Sequence, residues 1–193
     1  MTPMTRRKEM LAFSRPSLGD EEIAEILHSM RSGWITTGPK CARFEQDVCE
    51  YVGAKHAVAL SSATAGLHLA LLAAGVGPGD EVITTSMTFA ATANVVALVG
   101  ATPVFVEIRD DLNIDPACIE AAVTPRTKAV IPVHFAGYPC DMERILEIAR
   151  RRNLVVIEDA AHAIGTEYRG RRIGSLGAMT VFSFHPIKNI TTG

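Results

Sequence analysis

From residue 57 onward the chain repeats one pattern: a short apolar run, then a longer stretch with helical spacing. The runs are AVALSS (57–62), EVITTS (81–86), TPVFVEI (102–108), KAVIPVHF (128–135), LVVIEDA (154–160) and AMTVFSF (178–184). Between most of them lie TAGLHLALLAAG, FAATANVVALVG, DPACIEAAV and DMERILEIARRR. Near-continuous valine and isoleucine mark strands buried on both faces, and helix-length connections join parallel neighbours. The pattern predicts an α/β domain built on a mostly parallel sheet with helices on both faces. Upstream, GDEEIAEILHSMRSG reads as a helix with Asp20 as its N-cap, Ile23, Ile26, Leu27 and Met30 as its apolar face, and Gly33 as its stop. WITTGPK reads as a loop and CARFEQDVCEYVG as a second helix closed by Gly53, while residues 1–19 read as an arm.

The chain has 193 residues, enough for one sizeable core, and no internal repeat or linker divides it. A hydrophobic fraction of 48% argues against disorder. Net charge is −2 with both signs mixed, and the basic runs Arg6-Arg7-Lys8 and Arg150-Arg151-Arg152 are too short to suggest a nucleic-acid partner. The most apolar stretch, 89–108, is interrupted by Thr92, Asn94, Gly100 and Pro103 and does not read as a membrane span. The N-terminus lacks the apolar core of a signal peptide. Cys41, Cys49, Cys118 and Cys140 are scattered, which implies neither zinc nor a disulfide framework and suits a cytoplasmic location.

Parallel sheets of this kind bind ligands at the C-terminal ends of their strands. After the first run, SSATAG leads into a helix whose free N–H groups could take an anion, with the Thr64 hydroxyl beside them; taken alone, the stretch reads first as a plain helix cap. No G-x-G-x-x-G is present, which disfavours a dinucleotide site. Phe89 follows the second run and reads either as core or as an aromatic facing the crevice. Glu158 and Asp159 end a buried strand, where a carboxylate needs a cation or donors or else caps the following turn, and His162 follows three positions after Asp159. The last run delivers Ser183 and then Lys188. A partly desolvated lysine has a lowered pKa and can act as an amine nucleophile. Anion cradle, aromatic plate, buried acid and amine are together the parts that hold pyridoxal 5′-phosphate, with Lys188 as its covalent anchor.

The stretches SGWITTGP, SSATAGLHLAL, GDEVIT, ATANVVALVGATPVFVEI, AVIPVHFAGYPCDM, VVIEDAAHAIGTEYRG and FSFHPIKNITTG resemble the DegT/DnrJ/EryC1/StrS sugar aminotransferases, fold type I pyridoxal-phosphate enzymes. FSRPSLGDEEI, SGWITTGPK and SFHPIKNIT are most similar to its UDP-4-amino-4-deoxy-L-arabinose–oxoglutarate aminotransferase branch. The resemblance implies that Lys188 carries the cofactor and shuttles protons, that Asp159 pairs with the pyridine nitrogen, and that Phe89 stacks on the ring. It also implies that His162 lies by the ring hydroxyl and that Ala63, Thr64 and Ser183 hold the phosphate. Many relatives have Gly at Ala63, Asp at Ala65 and Trp at Phe89. The implied reaction moves an amino group from glutamate to a nucleotide-linked keto-sugar, in polysaccharide, lipopolysaccharide or related amino-sugar biosynthesis. The resemblance further implies a homodimer at full length, with residues 20–193 as the N-terminal part of the large domain and a small C-terminal domain beyond them. Two other readings stay open at the level of sequence. One is a dehydratase of the same fold with histidine for the lysine, for which His185 is a displaced candidate. The other is a truncated, non-catalytic remnant.

Overall fold

The computed structural model describes residues 14–192. The predicted arm, with Arg6-Arg7-Lys8, therefore lies mostly outside the described residues. Helix α1 spans Asp20–Ser32 and ends at Gly33, whose φ of 74° is the left-handed stop that glycine permits. Its N-cap is Gly19 rather than Asp20: the Glu22 carboxylate reaches back to accept the Gly19 N–H at 2.6 Å, which moves the start one residue earlier. Helix α2 (Pro39–Val52) begins two residues before the apolar pattern, at a proline suited to the first helical position.

Helix α3 (Ala63–Ala73) leads to β1 (Glu81–Thr85), α4 (Ala91–Leu98), β2 (Thr102–Val106), α5 (Pro116–Ala122) and β3 (Thr127–Val130). A 3-10 turn (Phe135–Gly137), helix α6 (Met142–Arg152), β4 (Val155–Asp159), the short strands β5 (Glu167–Tyr168) and β6 (Arg171–Arg172), and β7 (Met179–Val181) complete the described order. Side chains cap three of the helices: Ser62 accepts from Ala65 N, Asp115 from Ala117 N and Asp141 from Arg144 N.

The main sheet has strand order β2-β1-β3-β4-β7, and every pairing is parallel. Helices α3 and α4 pack on one face through Leu67, Leu71, Val95 and Val96 against Val82, Ile131 and Ile157. Helices α5 and α6 cover the other face through Ile119, Ile145 and Ile148 against Ile83, Val130 and Val156. Side chains alternate along a strand, so Ile157 and Asp159 share the α3/α4 face while Val156 and Glu158 point to α5/α6. The chain runs outward from β1 to β2 and then returns past β1 to β3. That reversal is the switch point at which such sheets open a crevice beyond their strand ends.

Two features of the sheets depart from the sequence pattern. Residues 57–62 form no strand, because among the described residues the sheet ends at β7 and no neighbouring strand offers them a ladder; Val58 stays 74% exposed. The antiparallel β5–β6 hairpin was not foreseen; it turns on Arg169 and Gly170, with φ of 51° and 74°. Among the described residues no helix is long and apolar enough to cross a membrane.

Candidate active site

Asp159 ends β4 opposite Val181 of β7 and bridges to Val133 on its other side, in the middle of the crevice edge. It is only 6% exposed. Its Oδ1 accepts the Ala161 N–H (3.2 Å) and its Oδ2 accepts the Thr92 hydroxyl (2.8 Å). Both donors are neutral, and among the described residues no cation pairs with it. A nearly buried carboxylate left with spare lone pairs and no counter-charge is suited to a cationic partner from outside the chain. Glu158, next to it in sequence, is the opposite case. It is fully buried on the far face and accepts from His134 Nε2 (3.0 Å), Gly177 N (2.8 Å) and Thr180 Oγ1 (2.8 Å). His134 Nδ1 accepts the Cys140 N–H, so Nε2 carries the ring proton given to Glu158. Glu158 is thereby closed off as a structural anchor.

Lys188 follows β7 in a turn held by its N–H to the His185 carbonyl (2.8 Å). Phe184, between that strand and the lysine, packs edge-on against Phe44 of α2 with ring centroids 5.0 Å apart. The Lys188 Nζ lies 2.6 Å from His162 Nε2. An ammonium has only donors, so His162 must accept here as a neutral imidazole. Its pKa is lowered from the usual value by partial burial and then by the Lys188 charge, against an opposing pull from Asp159. His185 is turned into its own loop, where Nδ1 accepts the Ile187 N–H at 3.4 Å.

The N-terminus of α3 reaches the same edge. A Cβ on Gly66 would lie 2.8 Å from Val181 Cγ1, so glycine lets the first turn sit against the end of β7. Ser62 caps the Ala65 N–H, and the Ala63 and Thr64 N–H groups remain as first-turn donors without a protein acceptor among the described residues. The Thr64 and Ser183 hydroxyls likewise have no protein partner among the described residues. This donor set fits an anion. Phe89 precedes α4 and is 78% exposed, which removes the core reading of that residue.

Of the seven sequence-named residues, Lys188 and His162 touch directly. Asp159, Ser183, Ala63, Thr64 and Phe89 ring the same sheet edge on four different segments. Sequence reasoning missed Thr92, fully buried and bonded to Asp159; its signal was a pair of threonines, Thr88 and Thr92, one helical turn apart just after β1. The donors at α3, the cation-seeking carboxylate and the amine together fit pyridoxal phosphate.

The family model of DegT/DnrJ/EryC1/StrS aminotransferases matches residues 16–193. The spore coat polysaccharide biosynthesis protein SpsC of Bacillus subtilis (strain 168) is 55% identical over 189 residues, covering 97% of this chain and 49% of that protein. A structure described as a sugar aminotransferase, Spr1654 from Streptococcus pneumoniae, superposes with a TM-score of 0.90 at 41% identity. It covers 94% of this chain and 50% of its own, and was solved in PLP and PMP forms. PseC of Helicobacter pylori, an aminotransferase involved in pseudoaminic acid biosynthesis, matches with a TM-score of 0.90 at 36% identity over 95% of this chain and 50% of its own. The chain spans about half the length of these relatives. It belongs to the DegT/DnrJ/EryC1/StrS aminotransferase family.

Proposed function

We propose that the protein is a pyridoxal-phosphate-dependent aminotransferase that moves an amino group from glutamate to a nucleotide-linked keto-sugar, in the cytoplasm and as a homodimer. On this reading residues 20–193 are the N-terminal part of a large cofactor-binding domain that a small C-terminal domain completes. The observation that carries it is the Lys188 amine, hydrogen-bonded to a neutral His162 at the strand-end edge that also holds the unpaired Asp159 carboxylate.

When bound, pyridoxal phosphate supplies a carbonyl for amine exchange and an electron-withdrawing ring. Ala63 N, Thr64 and Ser183 would hold its phosphate, Phe89 would cover one face of the ring, and His162 would lie toward the ring hydroxyl. Asp159 would hold a proton at the ring nitrogen, stabilising the charge that develops when a carbon–hydrogen bond breaks. Lys188 Nζ, once neutral, is the base that takes a proton from the carbon bearing the donor's amino group, and it returns one to the keto-sugar carbon. The relatives named for spore coat polysaccharide and pseudoaminic acid biosynthesis support a sugar acceptor. Lysine at position 188 disfavours the dehydratase reading.

The test is a glutamate-dependent assay on the full gene product across UDP- and dTDP-linked 4-keto and 3-keto sugars, including the UDP-4-keto-pentose. Turnover of one of them, lost in Lys188→Ala, is expected. No turnover of any keto-sugar by a protein that carries the cofactor would overturn the sugar assignment.

A further inference from the structure

Asp159 is set by a hydroxyl pair that reaches it across 67 residues of sequence. Thr92 Oγ1 has one proton, and the 2.8 Å contact to Asp159 Oδ2 consumes it, because a carboxylate only accepts. The 2.7 Å contact between Thr88 Oγ1 and Thr92 Oγ1 then has one direction: Thr88 donates and Thr92 accepts. The relay runs Thr88 to Thr92 to Asp159, with the Ala161 N–H holding the second carboxylate oxygen. Thr92 is fully buried, and its own N–H donates to the Phe89 carbonyl at 3.0 Å. Thr88 is the residue before Phe89. One threonine pair thus fixes the rotation of the carboxylate and also ties it to the loop that carries the exposed aromatic.

We propose that Thr92, backed by Thr88, is a positioning residue that orients the Asp159 carboxylate toward the cofactor ring and couples it to the Phe89 loop. The inference deepens the reading of Asp159 as partner of the ring nitrogen and rests on it. A hydrogen bond to a charged group is worth more than a neutral one, and a lone pair left bare on Oδ2 lets the carboxylate turn. Thr92→Val keeps the shape and removes the hydroxyl; Thr92→Ser keeps the hydroxyl.

The experiment measures three quantities on the full gene product: the pyridoxal phosphate dissociation constant, the pH titration of the bound cofactor's visible absorbance, and kcat against KM for glutamate. Thr92→Val is expected to weaken cofactor binding roughly tenfold, shift the titration, and lower kcat roughly tenfold with KM little changed. Thr92→Ser should restore all three, and Thr88→Val should fall between. A crystal structure of cofactor-free Thr92→Val should show the Asp159 carboxylate rotated. If Thr92→Val fails to fold, Thr88→Val and Thr92→Ser carry the test through the same readouts. Wild-type affinity, titration and kcat in Thr92→Val, or in Thr88→Val where it stands in, would overturn the proposal even if the melting temperature drops. A wild-type protein that does not bind the cofactor would instead sink the reading of the site, while the rotated carboxylate would still be seen in the crystal.

Discussion

At the residue scale the Lys188–His162 contact makes the sharpest demand. A neutral imidazole 2.6 Å from an amine is disfavoured from taking a proton, first by its partial burial and then by the lysine's charge. His162 should therefore titrate below 6.5 by NMR, and Lys188→Met should return part of the shift. As pH falls through about 6.5, the unfolded chain takes up this proton before the folded one. Stability at this residue therefore declines with falling pH until the folded value is passed, and is level below it. A His162 that titrates at or above 6.5 would contradict the contact. Asp159 makes a separate demand. Asp159→Asn keeps an oxygen acceptor for one of the two donors, so the fold should persist, while turnover should fall at least about a hundredfold, about 2.7 kcal/mol of barrier. Near-normal turnover with a lowered melting temperature would make Asp159 a cap for Ala161 and nothing more.

At the scale of elements, the contact between α3 and β7 sets where the first turn of α3 sits, the turn proposed above to hold the phosphate. Helix propensity alone favours alanine over glycine by about 1 kcal/mol. At Gly66 the added methyl meets stiff Val181, so Gly66→Ala should instead destabilise by about 1–3 kcal/mol in denaturant melts and loosen cofactor binding. Gly77→Ala, with nothing within 4 Å of the new methyl, should be neutral or slightly stabilising. A stabilised Gly66→Ala would mean that the two elements sit farther apart. The five paired strands of the sheet were readable because each is an apolar run bounded by turn residues, and Glu158 and Asp159 had to face opposite ways because strand side chains alternate. Residues 57–62 carry the same apolar signal yet form no strand, since a strand exists only through a neighbour and sequence pattern does not count neighbours. The Thr92–Asp159 bond was hidden for a related reason. Nothing local in a helix start declares a partner 67 residues away.

At the scale of the whole molecule, α1 stands out: none of its residues is buried, and Ile23, Ile26, Leu27 and Met30 face outward. Its tie to the body includes Lys40, which pairs with the Glu25 carboxylate and donates to the Glu25 carbonyl at 2.7 Å. Four exposed apolar side chains on one helix favour association in water. The 193-residue chain should scatter light with a mass that rises with concentration above 20.7 kDa, and Ile26→Glu with Met30→Glu should reduce that rise. A monodisperse species at 20.7 kDa would contradict it. The central claim is that the crevice edge, where sheet, α3 and the turn after β7 converge, is built to carry pyridoxal phosphate on one amine. Borohydride reduction of the cofactor-loaded full gene product, followed by peptide mapping, tests this most directly. The pyridoxyl group is predicted on Lys188; its appearance on Lys40, Lys55 or Lys128 with Lys188 unlabelled would contradict the account.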